Sequence, residues 1–128
     1  MDKEWESAIR RGDVDIVRKL LDRGQDINAF DRHGQTAIML SAHAGHREVV
    51  ELLIDYRANL NVTAKFGLSA LMLAVIAGHT EIARLLARAG ADLSLRATGA
   101  PGFVQKTARD LAVARGMLEL AADLEADQ

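Results

Sequence analysis

The chain has 128 residues, is 49% hydrophobic and 27% charged, carries a formal net charge of −2, and contains one proline and no cysteine. That length and balance suit one globular domain. They give no bulk electrostatic attraction to nucleic acid or membrane, and the absence of cysteine removes disulfides and thiolate chemistry. The opening Met1-Asp2-Lys3-Glu4-Trp5-Glu6 is charged from its second residue, and no apolar run approaches the roughly 20 residues of a membrane span. A soluble, cytoplasmic protein is expected, and alanine and leucine within helical periodicity point to an all-α fold.

Along the chain the elements recur. Gly12, Gly45 and Gly78 lie 33 residues apart, as do Leu20, Leu53 and Leu86, and Ile27, Leu60 and Leu93. In the first copy no turn precedes the opening helix, and Lys19 stands where later copies have Leu52 and Leu85. In the second, Thr36 is predicted to N-cap a helix running to about Ala44 with its side-chain oxygen. Gly45 is predicted to supply the positive φ of a sharp reversal. A second helix follows from about Arg47 to Tyr56, burying Val49, Val50, Leu52 and Leu53. Arg57 then occupies the slot that Gly24 and Gly90 fill elsewhere.

The third copy repeats the plan, with Ser69 as cap, Gly78 as reversal, and Ile82, Leu85 and Leu86 as the buried stripe. A fourth appears after a shift of five: Thr107 and Gly116 lie 38 residues beyond Ser69 and Gly78. The extra length is assigned to Thr98-Gly99-Ala100-Pro101-Gly102. Asp123 and Glu125 fall at positions that are apolar inside the stack, so the end copies read as polar caps and the protein is expected to be complete. The expected organisation is one domain over 1–128, with a capping repeat at 1–31, internal repeats at 32–64 and 65–97, and an extended loop plus capping repeat at 98–128.

These words resemble the ankyrin-repeat family. The family's Thr-Pro-Leu-His-x-Ala word is similar to Thr36-Ala37-Ile38-Met39 and Ser69-Ala70-Leu71-Met72-Leu73-Ala74. Its Gly-His-x-Glu word matches Gly45-His46-Arg47-Glu48 and Gly78-His79-Thr80-Glu81, and its Gly-Ala-Asp-x-Asn ending is similar to Gly90-Ala91-Asp92-Leu93-Ser94. The resemblance implies an all-α solenoid of stacked helix-turn-helix units joined by β-turn-like loops. Met39 and Met72 stand where the family has histidine, so apolar packing is expected to replace its Thr–His network.

No active site is visible. His43 and His46 are i,i+3 with His33 as a third candidate, but no acidic or thiol ligand completes a zinc word, and structural or solvated histidines are the better reading. Gly99-Ala100-Pro101-Gly102 lacks the Gly-Lys-Ser/Thr word of a phosphate loop. No cofactor is expected.

The resemblance instead implies a concave binding surface of turns and first helices. By position it comprises Arg10 and Arg11; Arg32, His33, Gln35 and His43; Lys65, Phe66, Leu68 and Ile76; and Phe103, Val104, Lys106 and Arg115. Six of these are formally positive and none is a carboxylate. An apolar centre with a basic rim suits a partner protein offering an acidic and hydrophobic segment. The plain alternative is that the cations only solvate the turns and Phe66 folds onto the next repeat. A monomeric, non-catalytic interaction module is expected. Nucleic-acid binding through the basic turns, or a regulatory fragment of an enzyme, are the rivals.

Overall fold

The computed structural model describes residues 1–99 and 102–125, so part of the Thr98–Gly102 loop lies outside the described residues. Among the described residues eight α-helices form four antiparallel pairs: α1 (Lys3–Arg11) with α2 (Val14–Asp22), α3 (Ala37–Ala44) with α4 (Arg47–Asp55), α5 (Ala70–Ile76) with α6 (Thr80–Arg88), and α7 (Ala108–Ala114) with α8 (Leu118–Asp123). The odd-numbered helices pack in one row and the even-numbered in another. The helices run only six to nine residues, too short to persist alone in water. Stacking is what stabilises them. The sequence reading of an all-α repeat solenoid is correct.

Burial follows the repeat. Ile9, Ala42 and Val75 are sealed between neighbouring pairs, and Leu53, Leu86 and Leu124 fill the second row. Met39 and Met72 are fully buried, as the loss of the family's histidine implied. Leu85 differs from expectation: it is half-buried, because it lies against an open groove among Arg47, Arg84, Arg88 and Asp123 on the outer row.

Loop closures between and within pairs are made by the backbone. Gly12, Gly45, Gly78 and Gly116 all take positive φ at the reversal from first to second helix. Arg57 takes φ 64°, the left-handed conformation that Gly24 and Gly90 adopt freely. Polar side chains then link the repeats. Asn28 Oδ1 accepts from the Asn59 N–H at 2.9 Å, and Asn61 Oδ1 accepts from the Asp92 N–H at 2.8 Å.

The capping expectations divide. Ser69 Oγ accepts from the Met72 N–H, and Thr107 and Asp110 form a reciprocal capping box. Thr36 does not cap with its side chain, contrary to the sequence reading. Its backbone is extended in the same way as that of Ser69, but its Oγ1 is buried without a hydrogen-bond partner in the structure. The rotamer of a β-branched residue is restricted, and with Met39 in place of histidine no acceptor or donor is supplied from that position.

Candidate functional site

Each of the last three helix pairs is preceded by a turn built on one repeated hydrogen bond. The Asp31 N–H donates to the Gln35 carbonyl, the Ala64 N–H to Leu68 and the Ala97 N–H to Lys106. The first two bonds enclose three residues each and the third encloses eight. The insertion of five therefore lengthens a turn and leaves the helices in register. In the first turn Asp31, itself buried, accepts the N–H groups of His33 and Gln35. Its carboxylate is consumed in shaping the loop.

The structure divides the residues assigned to the binding face. Arg32, His33, His43, Lys65, Phe66, Val104, Lys106 and Arg115 are exposed, and Gln35 is half-buried in its turn. Arg32 Nε donates to His33 Nε2 at 3.3 Å. Lys65 holds its ammonium 4.9 Å from the centre of the Phe66 ring, a cation–π arrangement. Leu68, Ile76 and Phe103 are half-buried and packed on the core. They frame the face and hold its turns down, leaving Phe66 and Val104 as the exposed apolar side chains among these residues.

Arg10 and Arg11 do not belong among the free cations. Arg10 pairs with Glu6 at 2.9 Å and Asp31 at 3.4 Å, and Arg11 with Ser7 and Asp13. The basic character lies further along the stack, in Arg32, Lys65, Lys106 and Arg115, which make no ion pair among the described residues. No Asp or Glu occurs in residues 32–47, 56–80 or 93–109, which hold α3, α5 and most of the three turns, whereas Asp31 opens the first turn, Glu4 and Glu6 lie on α1 and Asp110 lies on α7. Most of the acidic side chains sit on second helices and in the loops that follow them. There Arg47 pairs with Glu51 and Glu81, and Arg84 pairs with Asp123.

The histidines have different tasks. His46 Nε2 lies 3.0 Å from the Arg10 carbonyl oxygen and His79 Nε2 lies 3.1 Å from that of His43, so each donates to the preceding repeat. Met117 occupies the corresponding place in the last pair and ends the series. His43 and His46 therefore do not converge, and no group of three His, Asp or Glu side chains suited to a metal ion occurs among the described residues. An open depression of about 330 Å³ joins Met1, Glu6, Arg10, Asp31, Arg32 and His33, but both its carboxylates are engaged by Arg10.

Titration shifts mark local structure. The Thr107 N–H, with smaller help from its hydroxyl and from Lys106 and Arg96, holds Asp110 below the usual carboxylate range. A hydrogen bond to Asp22 raises the Tyr56 phenol.

Sequence reasoning missed Phe30, which is exposed, and Arg96, whose Nη1 donates to the Gln105 carbonyl at 2.7 Å across the base of the long turn. The one available signal for Arg96 was its offset from the turn, since it immediately precedes Ala97.

Stacked helix-turn-helix pairs with projecting turns define a repeat protein whose natural use is a surface. A sequence model of ankyrin repeats in three copies matches residues 6–97, and the chain belongs to the ankyrin-repeat family. Ankyrin repeats are generally protein–protein interaction modules, and the family is typically non-catalytic. No curated protein matches the chain at a significant level. No helix among the described residues is long and apolar enough to cross a membrane.

Proposed function

We propose that this chain binds a partner protein through the face formed by its turns and first helices. The observation that carries the reading is the segregation of charge. A molecule of net charge −2 keeps residues 32–47, 56–80 and 93–109, which hold α3, α5 and most of the turns, free of carboxylates, and Arg32, Lys65, Lys106 and Arg115 stand on the face without ion pairs among the described residues. Exposed cations around exposed Phe66 and Val104 suit a partner with an acidic and hydrophobic segment. The charge steers the encounter, and the apolar side chains give the desolvated contact.

Net acidity and the apolar pair favour protein over nucleic acid, because a phosphate-binding surface gains little from Phe66 and Val104 unless bases stack on them. Co-purification from cells expressing the chain tests this reading. The Arg32→Glu/Lys65→Glu/Lys106→Glu variant should fold normally and lose the partners that wild type retains. Retention of the same partners at full yield would contradict it.

A further inference from the structure

Each helix pair turns four equivalent positions toward the pair that follows it. Two lie on the first helix. Trp5, Ile38 and Leu71 hold one of them and Ile9, Ala42 and Val75 the other, all at 1% exposure or less, while Arg109 and Val113 at the same positions of α7 are exposed. Ion pairs mark the two on the second helix. Arg47 bonds Glu81 of the following pair, and Arg84 Nε donates to Asp123 at 2.9 Å. On α8 these two positions are Leu118 and Ala122.

The outer face of the last pair is therefore apolar at three of the four positions. Val113 is 44% exposed and Leu118 66%, the most exposed large hydrophobic side chain among the described residues. Ala122 and Gly116 are exposed beside them. The fold does not require leucine at 118, because Arg47 and Thr80 fill that position elsewhere. Asp123, assigned from the sequence to a polar outer face, is bonded back to Arg84. At the rim, Arg109 and Glu125 line one depression with Arg96 and Asp110, and Arg115 and Glu119 are exposed. Both signs of charge are present, so no single-sign field holds two copies apart.

We infer that this face docks on the same face of a second copy of the chain, about a two-fold axis, with Val113, Leu118 and Ala122 as the buried centre. The dimer continues the packing that already joins one pair to the next, and it does not rest on the binding face above. A head-to-tail stack fits less well. His46 and His79 donate to carbonyl oxygens of the preceding pair, but the same position in the first pair is Asp13. Its carboxylate would meet the Ala114 carbonyl oxygen. Glu4, exposed where Ala37, Ala70 and Ala108 are buried, also charges that end. An isologous contact instead sets like against like. A face this small lies below the size of a stable dimer interface, so the association is weak and reversible. It stands in place of the monomer expected from the sequence.

The test is sedimentation of the intact chain at concentrations up to about 1 mM, where a Kd of that order is visible. The result expected is a reversible monomer–dimer equilibrium with no larger species. Leu118→Arg and Ala122→Arg should each weaken it about tenfold or more. Both place at 118 and 122 the residues that Arg47 and Arg84 supply at the same positions of other pairs, so both variants should keep the wild-type circular dichroism. The chain has no cysteine, so an introduced one reports the orientation. A short bis-maleimide should join Ala122→Cys copies to each other, and should not join them to Lys19→Cys, the position that a head-to-tail stack would bring against 122. A monomer at every concentration, a dimer that withstands both arginines, or growth beyond the dimer with cross-links between 122 and 19 would each overturn the inference.

Discussion

His79 Nε2 reaches across a repeat boundary to the carbonyl oxygen of His43, 3.1 Å away, and its ring lies where a side chain on Gly45 would have to go. The reversal glycine of one repeat and the histidine of the next are thus a matched pair. A Cβ built on Gly45 falls 2.8 Å from His79 Cε1, whereas the nearest side-chain atom to one on Gly78 is Arg115 Nη2 at 3.9 Å. The difference arises because the residue after the next reversal glycine, Gly116, is Met117, where His79 follows Gly78.

Two substitutions separate these effects. Gly78→Ala should cost about 1 kcal/mol from left-handed strain alone. Gly45→Ala should cost more, by roughly another 1 kcal/mol, because it also displaces the His79 ring from its hydrogen bond. Urea melts of the two variants and of Gly45→Ala/His79→Ala check this. Equal losses for the two single variants would show that the ring yields freely.

Thr36 and Ser69 share backbone conformation but not bonding. Thr36→Val should be neutral or stabilising, by up to about 1 kcal/mol, because it removes a buried hydroxyl that has no partner. Ser69→Ala should cost about 1 kcal/mol through loss of the Met72 N–H cap. Thermal melts in which Thr36→Val is the more damaging change would mean that the Thr36 hydroxyl is satisfied.

Arg57 offers a third check on backbone. It is exposed at φ 64°, in a slot where Gly24 and Gly90 take φ 95° and 100°. Arg57→Gly should leave the stability unchanged or raise it by up to about 1 kcal/mol, the relieved strain being offset by the greater freedom of the unfolded chain. A clear fall in the urea midpoint would show that the side chain contributes more than the conformation costs.

How far the sequence could be read depended on what each residue's environment required. The period of 33, the reversals at Gly45 and Gly78 and the left-handed Arg57 were legible, because backbone conformation constrains residue type locally. The orphaned Thr36 hydroxyl was not legible: a threonine before a helix looks like a cap whichever way its side chain turns. That Leu68 and Phe103 are half-buried against the core while Phe66 is exposed was not legible, because turn position alone does not tell an apolar residue that packs inward from one that stands out. The ion pairs of Arg10 with Glu6 and Asp31 joined residues up to 21 apart, and only the stacked fold shows that a basic position is already neutralised. The bond from the Thr98 N–H to the Phe66 carbonyl oxygen likewise depends on how two turns lie side by side.

The binding face is tested most directly by site-specific photo-crosslinking in cells that express the chain, with the crosslinking residue placed at Lys65 or at Glu51. Lys65 stands on a projecting turn beside Phe66, and Glu51 lies on α4 in the second row. The account predicts a discrete protein adduct from position 65, weakened by Arg32→Glu and Lys106→Glu through slower, less salt-sensitive association, and no adduct from position 51. An adduct from position 51 alone, or one from position 65 that withstands both charge reversals, would contradict it.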